Sequence, residues 1–346
     1  MWKRYRRHKI GVAGLAVILI VLLLTVFAEF FAPYGQSSTL NLSNCPPMRI
    51  HFIDSEGNLS RPFVYSLNSA FDLNTGVMEW QEDTSEQHYI RFFVKGEPYT
   101  LLGIRMSRHF FGSEDGAVCI FGTNSIGQDV FSRILYGGRV SLTIAAVTAL
   151  ITLILGTLTG MVSGYFQGFT DVVVQRVVEL FLIIPNVPLA LALAAFIPAD
   201  TDPVYLMMGI SLVLSVCGWG NVARQIRGKT LAIRSGGYVQ AAVSMGASTP
   251  RILFKHILPS LYDHLIVLAT LTIPQTILAE SGLSFLGFGL RAPKISWGSL
   301  LQEAQNIRTI GLYPWVMIPG IVIMITVLAL NFVGDALRDA VDPYIK

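Results

Sequence analysis

The chain has 346 residues, 52% of them hydrophobic and only 14% charged, with a mean hydropathy of +0.56. Apolar content that high excludes an ordinary soluble domain and makes membrane embedding the default, while a formal net charge of +3 is too small to point to nucleic acid. Three cysteines are too few for a disulfide framework.

Residues 1–9 (MWKRYRRHK) are a basic patch, expected in the cytosol, ahead of the apolar run 10–31. At about 1.5 Å per residue that run reaches across a hydrocarbon core of about 30 Å. A secretory signal also begins basic and then apolar, but its apolar core is shorter, about 7–15 residues. Phe30, Phe31 and Pro33 leave no small-residue cleavage site, so an uncleaved first span is expected. Residues 32–122 change character: they are rich in Ser, Asn, Asp and Glu and hold no spanning run. Phe63–Tyr65, Tyr89–Val94 and Tyr99–Ile104 read as strands, the last two joined by a turn at Lys95-Gly96-Glu97-Pro98. A small β-containing extracytoplasmic insert is expected. His51, His88 and His109 lie here with Asp54 and Glu56, at spacings that match no compact ligand pattern, and no metal site is assigned. Cys45 and Cys119 also lie here, where a bridge could persist; a disulfide and two free thiols both stay open. Cys217 belongs within the bilayer.

Residues 123–139 read as an interfacial elbow helix, with Val130, Phe131, Ile134 and Leu135 free to lie on lipid or protein. Arg133 and Arg139 are placed to reach phosphate headgroups or nearby carbonyls. Five further spans are expected, at about 140–162, 172–197, 204–223, 262–281 and 315–334, within a core of residues 140–335. Six crossings from a cytosolic N-terminus return residues 336–346 to the cytosol. They also place the loop 224–260 inside. That loop carries Arg224, Arg227, Lys229, Arg234, Arg251 and Lys255, while the outer loop near Asp200–Pro203 has acids and no base, as the positive-inside rule requires. Gly156, Gly160 and Gly164 form a small-residue face for close helix packing, within this chain or against another. Asn186, Glu179, Gln275 and Glu280 lie within or beside spans, where polar groups are expensive unless they face protein or water. They are candidates for a translocation path, with pairing between helices as the plainer alternative. Pro185, Pro188 and Pro274 suggest bends.

The stretch Tyr238–Pro259, YVQAAVSMGASTPRILFKHILP, is organised differently from the spans around it. Val239, Ala242 and Val243 sit at helical spacing, and Gly246 suits a left-handed helix end. Thr249 is expected as an N-cap with Pro250 at the first helical position. The second helix is expected to run to Pro259. Gln240-Ala241-Ala242, Gly246 and Leu258-Pro259 resemble the "EAA" loop of importer permeases of the ATP-binding-cassette transporters, with Gln240 in place of the acidic residue and His256 in place of an aliphatic one. Phe121–Ala145, with Gly122-Thr123-Asn124 and Gly127-Gln128-Asp129, resembles the segment before the second span of dipeptide and oligopeptide permeases. So do Glu280–Leu301 and the end of the chain, from Asn331 to Asp342-Pro343. The resemblance covers roughly Phe121–Lys346 and the first span.

What the resemblance implies is an all-α membrane protein of six transmembrane helices with both termini cytosolic, plus the small β-containing insert between helices 1 and 2. The chain would be the "C-type" permease of an importer for di- or oligopeptides, in the bacterial inner membrane. Gln240, Ala241, Ala242, Gly246, Arg251, Leu258 and Pro259 would couple it to ATPase subunits. Its partners would be a sister permease, two ATPase subunits, an extracytoplasmic substrate-binding protein and the lipid bilayer. No phosphate loop, nucleophile elbow, H-E-x-x-H or Cys/His zinc pattern occurs in the sequence. The chain is therefore expected to be no enzyme and to bind no cofactor, with ATP and Mg held by the ATPases. Two alternatives stay open: the same transporter type carrying oligosaccharides or metal chelates, and a membrane receptor or channel.

Overall fold

The computed structural model describes residues 2–54, 57–72, 77–101, 103–198 and 200–341; Glu56 and the Asp342-Pro343 pair lie outside them. Helices α1 (Trp2–Tyr5), α2 (Lys9–Val26) and α3 (Ala28–Phe31) come first. Five strands follow: β1 (His51–Ile53), β2 (Leu59–Asp72), β3 (Val77–Tyr89), β4 (Arg91–Leu101) and β5 (Ile104–Gly112). Next come α4 (Val130–Phe166), α5 (Gly168–Ile183), α6 (Asn186–Ala194) and α7 (Pro203–Arg234). After them stand α8 (Gly237–Ser244), α9 (Thr249–Arg251) and α10 (Leu258–Phe285). Helices α11 (Trp297–Leu300), α12 (Ile307–Leu312) and α13 (Ile318–Val341) complete the described chain.

Among the described residues five helical segments are long and apolar enough to cross a membrane: Lys9–Val26, Val130–Phe166, Pro203–Arg234, Thr249–Phe285 and Pro314–Val341. The pair α5 and α6 makes a sixth if it counts as one span, but its halves meet at 89°. The straight span expected over 172–197 is therefore broken. Pro185 causes the break, because the residue before a proline is driven out of the helical region, and Ile184 is extended at φ −78°, ψ 126°. Pro274, by contrast, lies inside an unbroken α10. Helix α7 continues past the expected end at 223 to Arg234, so Arg224, Arg227 and Lys229 stand on a helix rather than in a loop. Asp202 starts α7 by accepting from the Val204 N–H at 2.8 Å, with Pro203 at the first position.

The chain divides into two compact units. One comprises Met1–Ile18, Leu142–Gly289 and Met324–Lys346. Its main core joins Met161, Val222, Ile226, Val239, Ile252, Ile257 and Leu261. Here the glycine stripe of α4 is used within the chain. A Cβ at Gly156 would stand 2.6 Å from Val222 Cβ, one at Gly160 would stand 2.6 Å from the Ala223 carbonyl oxygen, and one at Gly164 would stand 2.8 Å from that of Arg227. Only glycine lets the α4 and α7 backbones come this close. Asp171 on α5 then grips Arg227 with both oxygens, at 2.6 and 2.5 Å, a bidentate pairing.

The other unit comprises Leu19–Ser141 and Leu290–Ile323. It holds an antiparallel sheet in the order β1-β2-β3 and a separate hairpin, β4-β5. The hairpin turn is not at Lys95–Pro98. Those residues form an irregularity within β4, and the chain reverses at Gly103, whose φ of +86° suits a tight two-residue turn. Gly96 is glycine for another reason: a Cβ there would come within 2.6 Å of the His109 ring. His109 is buried, with Nδ1 2.6 Å from the Ala32 carbonyl oxygen and Nε2 3.0 Å from that of Glu97. Arg139 of α4 donates to the carbonyls of Thr25 and Val26 at 3.1 and 2.7 Å and clasps Glu29 at 2.6 and 2.5 Å. It therefore closes the carbonyl end of α2, where a cation is favoured. Trp297 is fully buried and donates its indole N–H to the Ile134 carbonyl at 2.9 Å.

Cys45 and Cys119 are free thiols, fully buried beside Val64, Phe111 and Val118. Burial pushes the Cys45 thiol up to about 12 and raises that of Cys119 as well, so neither is ionised at neutral pH. The bridge left open by the sequence is not formed. His51 sits 3.5 Å from Glu82, and among the described residues no three His, Cys, Asp or Glu side chains gather as a metal site would require.

Asp129 caps α4, its Oδ2 accepting from the Ser132 N–H at 2.8 Å and from the Ser132 hydroxyl at 2.6 Å. Burial nevertheless pushes its carboxyl up to about 6. The folded state thus holds this proton more tightly than the unfolded chain, whose aspartate titrates near about 4. Stability from this group falls as pH rises through that window and levels off above it. Asp129→Asn keeps the cap and removes the slope. Its gain over the parent is expected to be on the order of 1–3 kcal/mol at about pH 7 and near zero at about pH 4. Thermal unfolding of the detergent-solubilised proteins at the two pH values checks this.

Candidate functional site

Between α7 and α10 the chain forms a short helix, a tight turn and a second helix. The turn is a full Schellman motif: the Ala247 N–H donates to the Ala242 carbonyl at 3.1 Å and the Gly246 N–H to the Val243 carbonyl at 2.9 Å. This geometry needs the left-handed backbone that Gly246 adopts at φ +76°. The following helix starts one residue earlier than expected. Ser248, extended at φ −66°, ψ 149°, is the N-cap, and Thr249 and Pro250 lie within the first turn. Pro259 does not end the helix either. Ile252–Ile257 form a π turn, in which the Leu258 N–H reaches back to the Leu253 carbonyl, and the chain passes directly into α10. Pro259 then falls in the first turn of α10, where a missing N–H is tolerated.

One side of this element is fixed to its own chain. Val239, Ile252, Leu253 and Ile257 enter the core against Met161, Val222 and Ile226. Ala242 is buried with them, while Val243, expected on the same face, is 44% exposed. The outer side presents Val243, Met245 at 86% exposure and Phe254 at 53%, flanked by the exposed Ala241, Arg251 and Pro259, with Leu258 half-buried. An apolar, self-capped outer face of this kind suits a groove on another protein.

Gln240 does something that its acidic counterpart could not. Its side-chain N–H donates to the carbonyl of Arg234, the last residue of α7, at 2.9 Å. A carboxylate there would set a negative oxygen against a carbonyl at the negative end of a helix. Gln240→Glu is expected to destabilise the protein by about 1 kcal/mol, and by more than Gln240→Ala. Paired thermal-unfolding measurements on the purified variants would reveal the order.

A second feature lies in the same unit, a cavity of about 210 Å³ between α4, α6, α7 and α10. Asn186 at the start of α6 and Gln275 on α10 both line it, as do Asn221 and Gln225 of α7. These four amides are exposed and make no hydrogen bond within the chain among the described residues. Thr152, Thr272 and Thr276 add hydroxyls, and no charged side chain lines the space. The other two path candidates are elsewhere. Glu280 is fully buried and accepts from the Ser284 hydroxyl at 2.7 Å. Glu179 is paired with Arg176 at 2.8 Å on an exposed face of α5. Glutamine 225 and the threonines were missed by the sequence reading. Their signal was the helical spacing of Asn221 and Gln225, and of Thr272, Gln275, Thr276 and Ala279, each set on one helical face.

Residues 156–346 match the family model described as the binding-protein-dependent transport system inner membrane component. Residues 1–47 match that of the N-terminal transmembrane domain of oligopeptide transport permease C. The oligopeptide transport system permease protein OppC of Bacillus subtilis (strain 168) is 29% identical over the whole chain and 90% of that protein. The glutathione transport system permease protein GsiD of Pectobacterium atrosepticum is 36% identical over 65% of this chain and 72% of that one. Among solved structures, the inward-facing MetNI methionine ABC transporter aligns with a TM-score of 0.50 at 21% identity, over 60% of this chain and 96% of that one. At that identity the likeness speaks for the fold.

Proposed function

The chain belongs to the family of binding-protein-dependent transport-system inner-membrane components, and from that premise we propose that it is one permease subunit of an ATP-driven importer of di- or oligopeptides. Its partners in this reading are a sister permease, two ATPase subunits that hold ATP and Mg, and an extracytoplasmic substrate-binding protein. Both termini and the coupling loop 224–260 face the cytosol, and the insert 32–122 faces outward. The clustering of positive charge in Arg224–Lys255 supports that orientation.

The observation that carries the reading is the element from Gly237 to Ile257. Its inner face is locked into the core of its own unit, and its outer face offers Val243, Met245 and Phe254. A push on that face is delivered to α7 and α10, the helices whose amides line the cavity. In this reading Gln240, Ala241, Ala242, Gly246, Arg251, Leu258 and Pro259 build the coupling surface, with Gln240 and Ala242 securing it from within. Asn186 and Gln275 then belong to the path, joined by Asn221 and Gln225. Amides both donate and accept, so four of them around an uncharged cavity can pair with a peptide bond whatever side chains flank it. Relatives named for oligopeptide and glutathione transport fit that chemistry.

The test is recovery of the complex. The chain, tagged at its C-terminus and extracted in mild detergent, is expected to co-purify with a second permease and with ATPase subunits identified by mass spectrometry. A homogeneous chain without any ATPase would overturn the proposal and remove the coupling role from residues 240–246.

A further inference from the structure

Phe30 and Phe31 close α3, directly after the apolar helix α2. Their rings lie 5.9 and 5.3 Å from that of Phe110 on β5, between centroids. Phe110 in turn meets Phe92 and Phe93 of β4 at 5.5 and 6.1 Å. The two outermost rings are left largely bare, Phe92 at 62% and Phe93 at 58% exposure. An aromatic surface thus continues from the end of a membrane-crossing helix onto the hairpin.

Beyond the rings, Lys95 stands opposite Arg108 across the ladder. Like charges in directly opposed positions repel, and among the described residues neither has a carboxylate within ion-pair distance. Arg108 and Phe110 are two residues apart on one strand and so share a face. Aromatic rings beside unneutralised cations match the composition of a membrane interface, where rings sit at headgroup depth and cations meet phosphate.

We propose that the β4–β5 hairpin rests on the bilayer where α2 emerges, with Phe92 and Phe93 in the headgroup–acyl boundary and Lys95 and Arg108 on the phosphates of anionic lipid. A protein partner is the less suitable occupant, because the patch is continuous with Phe30 and Phe31 at the end of a lipid-crossing helix.

The test uses the full chain with nitroxide labels at Phe92→Cys, Phe93→Cys and, as a control, Leu59→Cys, which is 89% exposed at the start of β2 in the other sheet. The native cysteines are buried and leave the labelling selective. In phosphatidylcholine bilayers, relaxation by oxygen at 92 and 93 is expected to exceed relaxation by a water-soluble nickel chelate severalfold, with the reverse at 59. Adding phosphatidylglycerol should draw the labels deeper, and Lys95→Gln with Arg108→Gln should abolish that increment. Monodisperse elution of each variant verifies folding. Nickel-dominated relaxation at 92 and 93, equal depth in the two lipids, or protection only after addition of a substrate-binding protein would each overturn the proposal.

Discussion

Gly160→Leu is expected to abolish accumulation of the folded protein in the membrane. A single Cβ at this position already stands 2.6 Å from the Ala223 carbonyl oxygen and 2.8 Å from Ile226 Cβ. Both neighbours are held by the same helix, and a backbone oxygen cannot rotate aside. Gly156 and Gly164, the flanking members of the stripe, meet α7 just as closely, so tilting the helices to relieve one position tightens another. Overpacking a core costs about 1–3 kcal/mol where side chains can adjust, and here the obstacle is main chain, so the upper end or more applies. Against a total stability on the order of 5–15 kcal/mol, that loss leaves little folded protein. Gly228 supplies the control, since it lies on α7 with nothing within 4 Å of its added Cβ. Fluorescence-detected size exclusion should show a monodisperse peak for Gly228→Leu, a reduced one for Gly160→Ala and none for Gly160→Leu. A normal peak for the last would mean that α4 and α7 are not packed along this stripe.

At Gly246 the expected loss is of transport, with insertion retained. Nothing lies within 4 Å of an added Cβ here, so space is not the constraint. The constraint is the φ of +76°, which costs an ordinary L-residue about 1–2 kcal/mol and a β-branched one more. Asparagine tolerates this region and glycine occupies it freely. Gly246→Val should therefore unwind the Schellman turn and abolish ATP-driven uptake into proteoliposomes holding the reassembled importer, while Gly246→Asn keeps most of it. Both variants should elute as the parent does. Uptake at parental rates by the valine variant would remove the turn from the coupling path.

What could be read from the sequence is what local chemistry dictates. Gly246 announced its turn because only a few residue types accept a positive φ, and the apolar runs marked the crossing helices. Prolines were legible as punctuation but not in their effect. Pro185 breaks its span, whereas Pro259 sits in the first turn of α10, directly after a π turn that no single-residue preference foretells. Lys95-Gly96-Glu97-Pro98 has the composition of a turn, yet Gly96 serves to admit the His109 ring. The cavity was only half legible. Asn186 and Gln275 stood out as polar residues in apolar runs, but their meeting with Asn221 and Gln225 depends on how three helices pack. Arg139 finds Glu29 at 110 positions' distance, a pairing that no spacing rule contains.

The π turn at Ile252–Ile257 has a mechanical meaning. A helix advances by about 100° of azimuth per residue, and a π turn takes in one residue more than an α turn. The turn therefore sets the phase between the outward-facing Phe254 and the cavity-facing Gln275 on one continuous rod. Rewinding it to α geometry would turn the rod about its own axis by about 100° and lengthen it by about 1.5 Å. Thr272, Gln275 and Thr276 would swing out of the lumen together. In the proposed coupling, a screw joint rather than a lever would stand between the exposed face at Phe254 and the amide-lined cavity.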